Sequence, residues 1–291
     1  MKTKTLDVSL TDTGSGWPVL LLHGFPYDVH AYDEVTPLLV QQGARVIVPY
    51  LRGFAGTTFL ARDTPRSGQQ AAMGHDVREL LDALGLERAI VAGFDWGATG
   101  ACVAAALWPE RVTAMVSVCS YKIQDIAHAL EPQTPDMEQR LWYQHYFQNE
   151  RGQAGLTRNR KDYCRLLWRS WSPSWRFDDA AFERSAKSFD NPDFVDVVIS
   201  SYRHRFGLVA GDPALERLEQ RLAAMPPITV PAITLDGADD GVMPIGGTAS
   251  HKKHFTGWHE HRVVKGAGHN VPQEDPTAFA DAILALRRHA R

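Results

Sequence analysis

The residues best placed for chemistry lie in segment 89–98, where a run of small and β-branched residues leads through a turn into an alanine-rich stretch. Its pattern is Gly93-x-Asp95-x-Gly97. Flanking glycines let a strand turn sharply into a helix, so the side chain between them stands clear beside the helix N-terminus. A carboxylate there suits displacement at a saturated carbon, which forms an ester that water must then cleave. The alternative interpretation is that Asp95 only caps the helix, because aspartate is a favoured N-cap.

A histidine and two adjacent aspartates follow later strand-like runs. His269 lies on a Gly-rich, mobile-looking loop after a strand, where an imidazole can act as general base over the edge of a sheet. Segment 234–241 holds the aspartate pair, again directly after a strand. Only one of the pair can face His269, and the Gly-x-x-Asp spacing favours Asp240. Asp239 is then predicted to be a turn residue.

Short β-branched and leucine-rich runs alternate with stretches whose apolar residues recur three and four positions apart. The runs predict buried strands and the stretches predict helices that pack one face on a sheet. Asp275 before Pro276 predicts the N-cap of the last helix. This alternation favours an α/β fold, a mostly parallel central sheet flanked by helices. The predicted strands are 18–22, 45–49, 89–92, 112–118, 232–235 and 262–264.

The pattern changes between residues 121 and 225, where strand-like runs vanish and aromatic, Arg and Gln residues crowd into helix-compatible spacings. We expect an inserted helical cap (lid) domain over the carboxyl edge of the sheet, where open α/β sheets place their ligands. The predicted division is a core domain of residues 1–120 and 226–291 and a cap domain of residues 121–225.

Composition narrows the class of protein. The 291 residues are 44% hydrophobic and 22% charged, which is typical of a large globular domain. A net charge of −3 gives no basic surface for nucleic acid or anionic lipid. Three cysteines with no paired spacing favour a reducing, cytoplasmic location. No run approaches the ~20 apolar residues of a membrane span.

Four segments together resemble the α/β-hydrolase superfamily, in particular the epoxide hydrolase family, which is related to the haloalkane dehalogenases. The resemblance covers essentially the whole chain and includes the order nucleophile, acid, histidine. It implies a catalytic triad with an aspartate nucleophile. It also implies an oxyanion hole formed by the backbone amides of Phe25 and Trp96. The matching segments are 23–26, the 93–97 elbow, the 234–241 acid loop and 268–269.

Epoxide hydrolases resemble one another in two cap tyrosines whose hydroxyls hold and protonate the epoxide oxygen, as a neutral phenol can. Segment 142–147 resembles the first tyrosine segment, with Tyr143 at the matching place, and segment 201–203 resembles the second, with Tyr202. The alternative is that both rings only pack in the cap.

The resemblance therefore implies a hydrolase acting on ether bonds, one that converts epoxides into vicinal diols through an aspartyl hydroxyalkyl ester. It implies no cofactor and no metal; the partners are a small-molecule epoxide and water, and a homodimer is compatible with the sequence. We expect Trp96, Phe25 and Trp142 to contact the substrate.

The alternative function is a haloalkane or haloacid dehalogenase, which would use the same aspartate nucleophile. The indole of Trp96 would then hold the leaving halide, but Phe25 stands where haloalkane dehalogenases commonly have Asn. Fluoroacetate dehalogenases typically place Arg after the nucleophile and a His-Trp pair in the cap, where this chain has Trp96 and residues 143–144. A non-catalytic binding protein on the same scaffold is a further class, which the intact triad disfavours.

Four histidines within eleven residues could suggest a metal site. Charged residues separate them, and no three fall at a recognised zinc spacing, so we predict a solvated helix and strand edge instead. The four are His251, His254, His259 and His261.

Overall fold

The computed structural model describes residues 1–289. A central sheet runs in the order β2-β4-β3-β6-β7-β8-β9, and all neighbours pair in parallel except β2, which is antiparallel to β4. The strands are β1 (Leu6–Asp7), β2 (Leu10–Gly14), β3 (Trp17–Leu22), β4 (Ala44–Pro49), β5 (Thr58–Phe59), β6 (Ala89–Gly93), β7 (Val112–Val118), β8 (Ala232–Gly237) and β9 (His259–Val264).

The α/β fold class predicted from the sequence is confirmed, and each of the six predicted strands corresponds to one of these strands. Strands β1, β2 and β5 were not predicted. β2 is polar and largely exposed, and the other two are only two residues long and pair with each other. Edge strands of this kind carry no hydrophobic period that a sequence pattern could reveal.

Helices cover both faces of the sheet. They are α1 (Val35–Val40), α2 (Gln70–Ala83), α3 (Trp96–Leu107), α4 (Pro135–Arg140), α5 (Trp142–Tyr146), α6 (Glu150–Arg158), α7 (Arg160–Trp171), α8 (Asp179–Ala186), α9 (Phe194–Arg205), α10 (Glu216–Ala223), α11 (Val271–Glu274) and α12 (Pro276–His289).

The sheet separates two hydrophobic cores. Along β3, Val19 and Leu21 pack with α1 and α12 on one face, whereas Leu20 and Leu22 pack with α2 and α3 on the other. Alternate side chains of a strand point to opposite faces, so a parallel strand covered on both sides reads as an unbroken apolar run. Asp275 caps α12 as predicted, accepting a hydrogen bond from the backbone N–H of Ala278 at 2.9 Å.

The inserted segment joins β7 to β8, which are neighbours in the sheet. Between these two strands the described residues form helices α4–α10 and short 3-10 turns, and no strand. The segment is anchored to the core by Trp168, whose indole N–H donates to the carbonyl of Pro26 at 2.7 Å. Its last helix, α10, packs against α2 of the core. The bond to Pro26 places α7 at the carboxyl edge of the sheet, beside the loop that follows β3, whereas α10 lies along one face of the core.

Candidate active site

Asp95 lies in the turn between β6 and α3 with φ +52°, a backbone conformation that is strained for a non-glycine residue. A Cβ on Gly93 would lie 2.5 Å from the carbonyl carbon of Gly97, and one on Gly97 would lie 1.9 Å from the oxygen of Leu22. Both positions therefore require glycine. The Asp95 side chain makes no capping hydrogen bond to α3, so the geometry does not support the alternative of a simple N-cap.

The loop after β3 closes over this carboxylate. The backbone N–H of Phe25 donates to Asp95 Oδ1 at 2.9 Å. Gly24 allows this approach, because a Cβ there would lie 2.5 Å from the Cβ of Asp95. Trp96 is the first residue of α3, so its amide is one of those without a partner inside the helix. The two predicted oxyanion-hole residues thus flank Asp95.

His269 lies between two carboxylates. Its Nδ1 is 2.9 Å from Asp240 Oδ2, and its Nε2 is 3.3 Å from Asp95 Oδ2. The second oxygen of Asp240 accepts hydrogen bonds from the amides of Val242 and Met243, at 2.6 and 3.0 Å. The structure therefore brings together the three predicted triad residues, with Asp240 and not its neighbour facing the imidazole.

The three groups share a proton-binding site that is closed to solvent. Burial disfavours the imidazolium of His269, but the carboxylates of Asp240 and Asp95 outweigh burial and hold its pKa well above the usual value. Burial likewise disfavours each carboxylate, but the hydrogen bond and charge of His269 outweigh it, so the pKa values of Asp95 and Asp240 are lowered. These directions favour an ion pair between the imidazolium of His269 and the two carboxylates in the free site.

The loop that carries the histidine is held firmly, contrary to the mobile loop that its glycines suggested. Glu274 accepts hydrogen bonds from the amides of Gly268 and Asn270, at 2.7 and 3.0 Å. The Ser172 hydroxyl donates to Glu274 at 2.5 Å and accepts from the His269 amide at 3.1 Å. The polar partners come from α11 and from the residue after α7, which no local pattern in the loop could reveal.

The two cap tyrosines meet within the site. Tyr143 on α5 and Tyr202 on α9 are 2% and 1% exposed, and their ring centroids lie 5.6 Å apart with nearly perpendicular planes. Tyr202 also lies 6.1 Å from Trp96, and Tyr143 lies 4.8 Å from Trp171. Two helices distant in sequence thus direct their phenols to one place.

Both phenols are neutral donors. Burial, with the nearby charge of Asp95, raises the pKa of Tyr143 to about 12. Burial raises the pKa of Tyr202 well above its usual value, and the neighbouring Tyr143 and Asp95 act in the same direction. A neutral phenol can donate a hydrogen bond to an oxygen that gains negative charge.

Apolar rings complete the surroundings. Phe25 stacks on Trp96 with centroids 5.3 Å apart and lies 5.8 Å from Tyr202. Trp142 is only partly buried, and its ring contacts Tyr143 and Tyr146. Phe25 and Trp96 lie directly beside Asp95. Contact of all three rings with a substrate stays a prediction.

Sequence reasoning missed Cys119. This buried residue follows β7 with φ +64°, and its thiol donates to Asp240 Oδ2 at 3.3 Å. Burial and the Asp240 charge raise the pKa of the thiol to about 11, so it is a neutral neighbour of the acid. The only available signal was its position at the carboxyl end of a predicted strand.

Within residues 1–289, the only three side chains whose ligand atoms converge as a metal site requires are Cys119, Asp240 and His269. The histidines of segment 251–261 do not converge in this way; His259 and His261 both hydrogen-bond the hydroxyl of Thr234, at 2.9 and 3.1 Å. In the same part of the chain, the helices are too short or too polar to cross a bilayer.

Comparison with known proteins places this geometry in a family. The α/β hydrolase fold family model matches residues 18–276. The chain therefore belongs to the α/β-hydrolase fold family. A crystal structure of a candidate epoxide hydrolase from Klebsiella pneumoniae subsp. pneumoniae is 48% identical with a TM-score of 0.97, covering 99% of this chain and 96% of that one.

Two curated relatives are similar over different lengths. Epoxide hydrolase 2 of Siraitia grosvenorii is 35% identical over 121 residues, which are 40% of this chain and 37% of that relative. The chain thus matches little over a third of the length of such relatives. Epoxide hydrolase A of Mycobacterium tuberculosis is 26% identical over 304 residues, covering 92% of this chain and 90% of that protein.

Proposed function

We propose that the protein is an epoxide hydrolase that forms vicinal diols through an ester on Asp95. The observation that carries the proposal is the meeting of two buried phenols beside the residue that follows Asp95: the rings of Tyr143 and Tyr202 lie 5.6 Å apart, and that of Tyr202 lies 6.1 Å from Trp96. The similarity to proteins that are called epoxide hydrolases supports the same reaction.

In the first step Asp95 Oδ2 attacks an epoxide carbon, a new C–O bond forms, and the bond from that carbon to the ring oxygen breaks. Tyr143 and Tyr202 donate hydrogen bonds to the ring oxygen as it becomes an alkoxide. Oδ1, already bonded to the amide of Phe25, becomes the carbonyl oxygen of the ester. The product of this step is a hydroxyalkyl ester.

The proton balance follows from the charges of the triad. Ring opening consumes one proton at the alkoxide. Esterification neutralises Asp95, which removes one of the two carboxylates that hold the proton on His269. A phenol, Tyr143 or Tyr202, supplies the proton that the alkoxide takes and regains one from water. The imidazolium, no longer held by the charge of Asp95, gives its proton to water and remains as a neutral general base.

In the second step neutral His269 takes a proton from water, and the hydroxide attacks the ester carbonyl carbon. The amides of Phe25 and Trp96 stabilise the oxyanion, and the carbonyl carbon–alkoxide bond breaks. The diol leaves with one proton, and the other returns to His269 as Asp95 becomes a carboxylate again. Asp240 orients the imidazole and stabilises its charged form.

The remaining sequence predictions extend this proposal. Residues 121–225 serve as the cap over a core of 1–120 and 226–291, and Trp142 joins Phe25 and Trp96 in contacting the substrate. All three cysteines are free and buried, which supports work in a reducing compartment such as the cytoplasm.

The test is the intact mass of His269→Ala after exposure to an aryl epoxide. Without the base the ester should form and persist, so the protein should gain the mass of the whole epoxide. Multiple turnover should fall by roughly 10³-fold, within the usual range for loss of a general base. Normal turnover, or an unmodified protein after exposure, would contradict the proposal.

A second candidate function is dehalogenation, favoured by one observation. The buried indole N–H of Trp96 makes no hydrogen bond of normal geometry among the described residues and lies near the hydroxyl of Tyr202, so a leaving halide would be held beside both donors. In a parallel exposure of His269→Ala to a haloalkane, a gain of the haloalkane minus hydrogen halide, without an epoxide adduct, would favour this function.

A further inference from the structure

A cavity of about 370 Å³ lies behind the two cap phenols. Its walls include Gln144 on α5 and Arg205, the last residue of α9, but neither Asp95 nor His269. The walls of this cavity therefore do not include the triad, and side chains in them can act on the reaction through the residues that lie between. Two of the wall residues, Gln144 and Arg205, contact the phenols directly.

Gln144 contacts Tyr143. It is a polar side chain only 7% exposed, and its Nε2 donates to the hydroxyl oxygen of Tyr143 at 3.1 Å. A phenol oxygen that already accepts a hydrogen bond keeps its own hydrogen for another acceptor. The incoming donor also stabilises negative charge on the phenol oxygen, so the O–H becomes a stronger donor.

Arg205 contacts Tyr202. It lies one helical turn after Tyr202, and its guanidinium carbon is 5.0 Å from the ring centroid. Its Nε is buried and has no hydrogen-bond partner among the described residues. In the same part of the chain no carboxylate lies within ion-pair distance of it. A cation over a ring face that no carboxylate neutralises stabilises negative charge on the phenol, so the O–H becomes a stronger hydrogen-bond donor.

We infer that Gln144 and Arg205 are positioning residues that polarise Tyr143 and Tyr202 from behind, so that both hydroxyls donate forward to the epoxide oxygen. This inference rests on the proposed epoxide hydrolysis. The influence of both residues lowers the pKa of Tyr143 against the larger effect of burial, which agrees with this role. Neither residue is assigned contact with the substrate.

The decisive experiment is a double-mutant cycle on the rate of ester formation, measured by rapid quench in a single turnover. Gln144→Met should slow ester formation roughly three- to tenfold, the equivalent of one hydrogen bond. In a Tyr143→Phe background the same change should cause little further loss, because the phenol through which it acts is absent. The rate of ester hydrolysis should stay unchanged in every variant.

The chain offers a matched control in Gln148. It lines the same cavity, and its Nε2 has no hydrogen-bond partner in the described part of the chain. Gln148→Met should therefore leave ester formation close to wild type. Gln144→Glu keeps the size of the side chain but offers only acceptors when ionised, so its loss should equal or exceed that of Gln144→Met.

Arg205 is tested in the same way. Arg205→Met should slow ester formation, Arg205→Lys should restore part of the rate through the retained cation, and neither change should matter in Tyr202→Phe. Equal losses with and without the phenols, or an equal loss in Gln148→Met, would overturn the inference and assign the residues to packing. A wild-type enzyme that forms no ester with epoxides would instead overturn the proposed function itself, and the inference with it.

Discussion

Asp95 and His269 stand at strand ends of one sheet, whereas Tyr143 and Tyr202 stand on two helices of the inserted segment. The triad is fixed by hydrogen bonds and by glycines that admit no Cβ. The phenols are fixed mainly by ring packing, in which Phe25, Phe147 and Trp171 surround them. The difference teaches that, in the proposed reaction, the nucleophile would be held by the sheet, while the donors to the leaving oxygen would depend on how the helices of the inserted segment pack.

The sharpest test of the residues at the strand ends is removal of the proposed nucleophile, Asp95. Asp95→Ala should reduce diol formation by at least about 10⁴-fold, the usual scale for a nucleophile, and should abolish the covalent adduct. Mass spectrometry and product analysis measure both. Asp239→Ala is the control, because it changes an aspartate that does not face the histidine. Retained activity in Asp95→Ala would remove the nucleophile assignment.

The two adjacent aspartates allow a second, matched comparison. Asp240→Asn should lower the rate of ester hydrolysis roughly 10³- to 10⁴-fold, because an amide neither charges nor correctly orients the imidazole of His269. Asp239→Asn should stay near wild type. Single-turnover decay of the ester measures the step, and equal effects of the two substitutions would contradict the placement of Asp240 against His269 as the functional contact.

The role of the phenols is tested by comparing two tyrosines of α5, Tyr143 and Tyr146. Tyr143→Phe should slow ester formation roughly 10- to 100-fold, because one of two donors to the ring oxygen is lost. Ester hydrolysis should change less. Tyr146→Phe is the control, since its hydroxyl contacts that of Tyr163 at 2.7 Å and not the triad. An unchanged rate of ester formation in Tyr143→Phe would mean that the ring of Tyr143 only packs against its neighbours.

The smallest expected effect is on stability. The raised pKa of His269 stabilises the fold fully below the ordinary value of 6.5, and this contribution is lost as pH rises through the folded pKa. The lowered pKa values of Asp95 and Asp240 stabilise the fold above 3.8, and this is lost as pH falls.

The difference in Tm between wild type and His269→Gln should therefore be largest between about pH 5 and 6.5 and shrink in both directions. We expect a difference of a few degrees at most, since about 1 kcal/mol shifts Tm by roughly 2–4 °C in large domains. Calorimetry across pH measures it. A difference that grows steadily above pH 7 would contradict the ion-paired resting triad.

The same contrast explains what the sequence could predict. Residues near Asp95 and His269 follow apolar runs and carry glycines, so strand ends and turns are visible in the local pattern. The choice of Asp240 over Asp239 also rested on spacing within one loop. Cys119 was missed because its importance depends on a neighbouring strand, and contacts between strands leave no signature in either segment alone.

In the cap, Tyr143 and Tyr202 could be singled out only through the resemblance to a family. Helical periodicity identifies rings that pack, but it does not say which hydroxyl faces a carboxylate on another element. Gln144 illustrates the limit further, because a glutamine on a helix is ordinarily a surface residue. Its contact with a phenol becomes visible only when α5 is packed over the sheet.

The hydrogen bonds around Ser172 have a consequence for modularity. The carbonyl of Trp171 accepts hydrogen bonds from the amides of Gly241 and His269, at 2.9 and 3.2 Å, and Ser172 accepts a further one from His269. Both acceptors belong to the inserted segment, yet they hold loops of the core. The insert is therefore not a detachable cover: excising it would leave the histidine loop without two of its anchors, and grafting it onto another hydrolase would require those loops to travel with it.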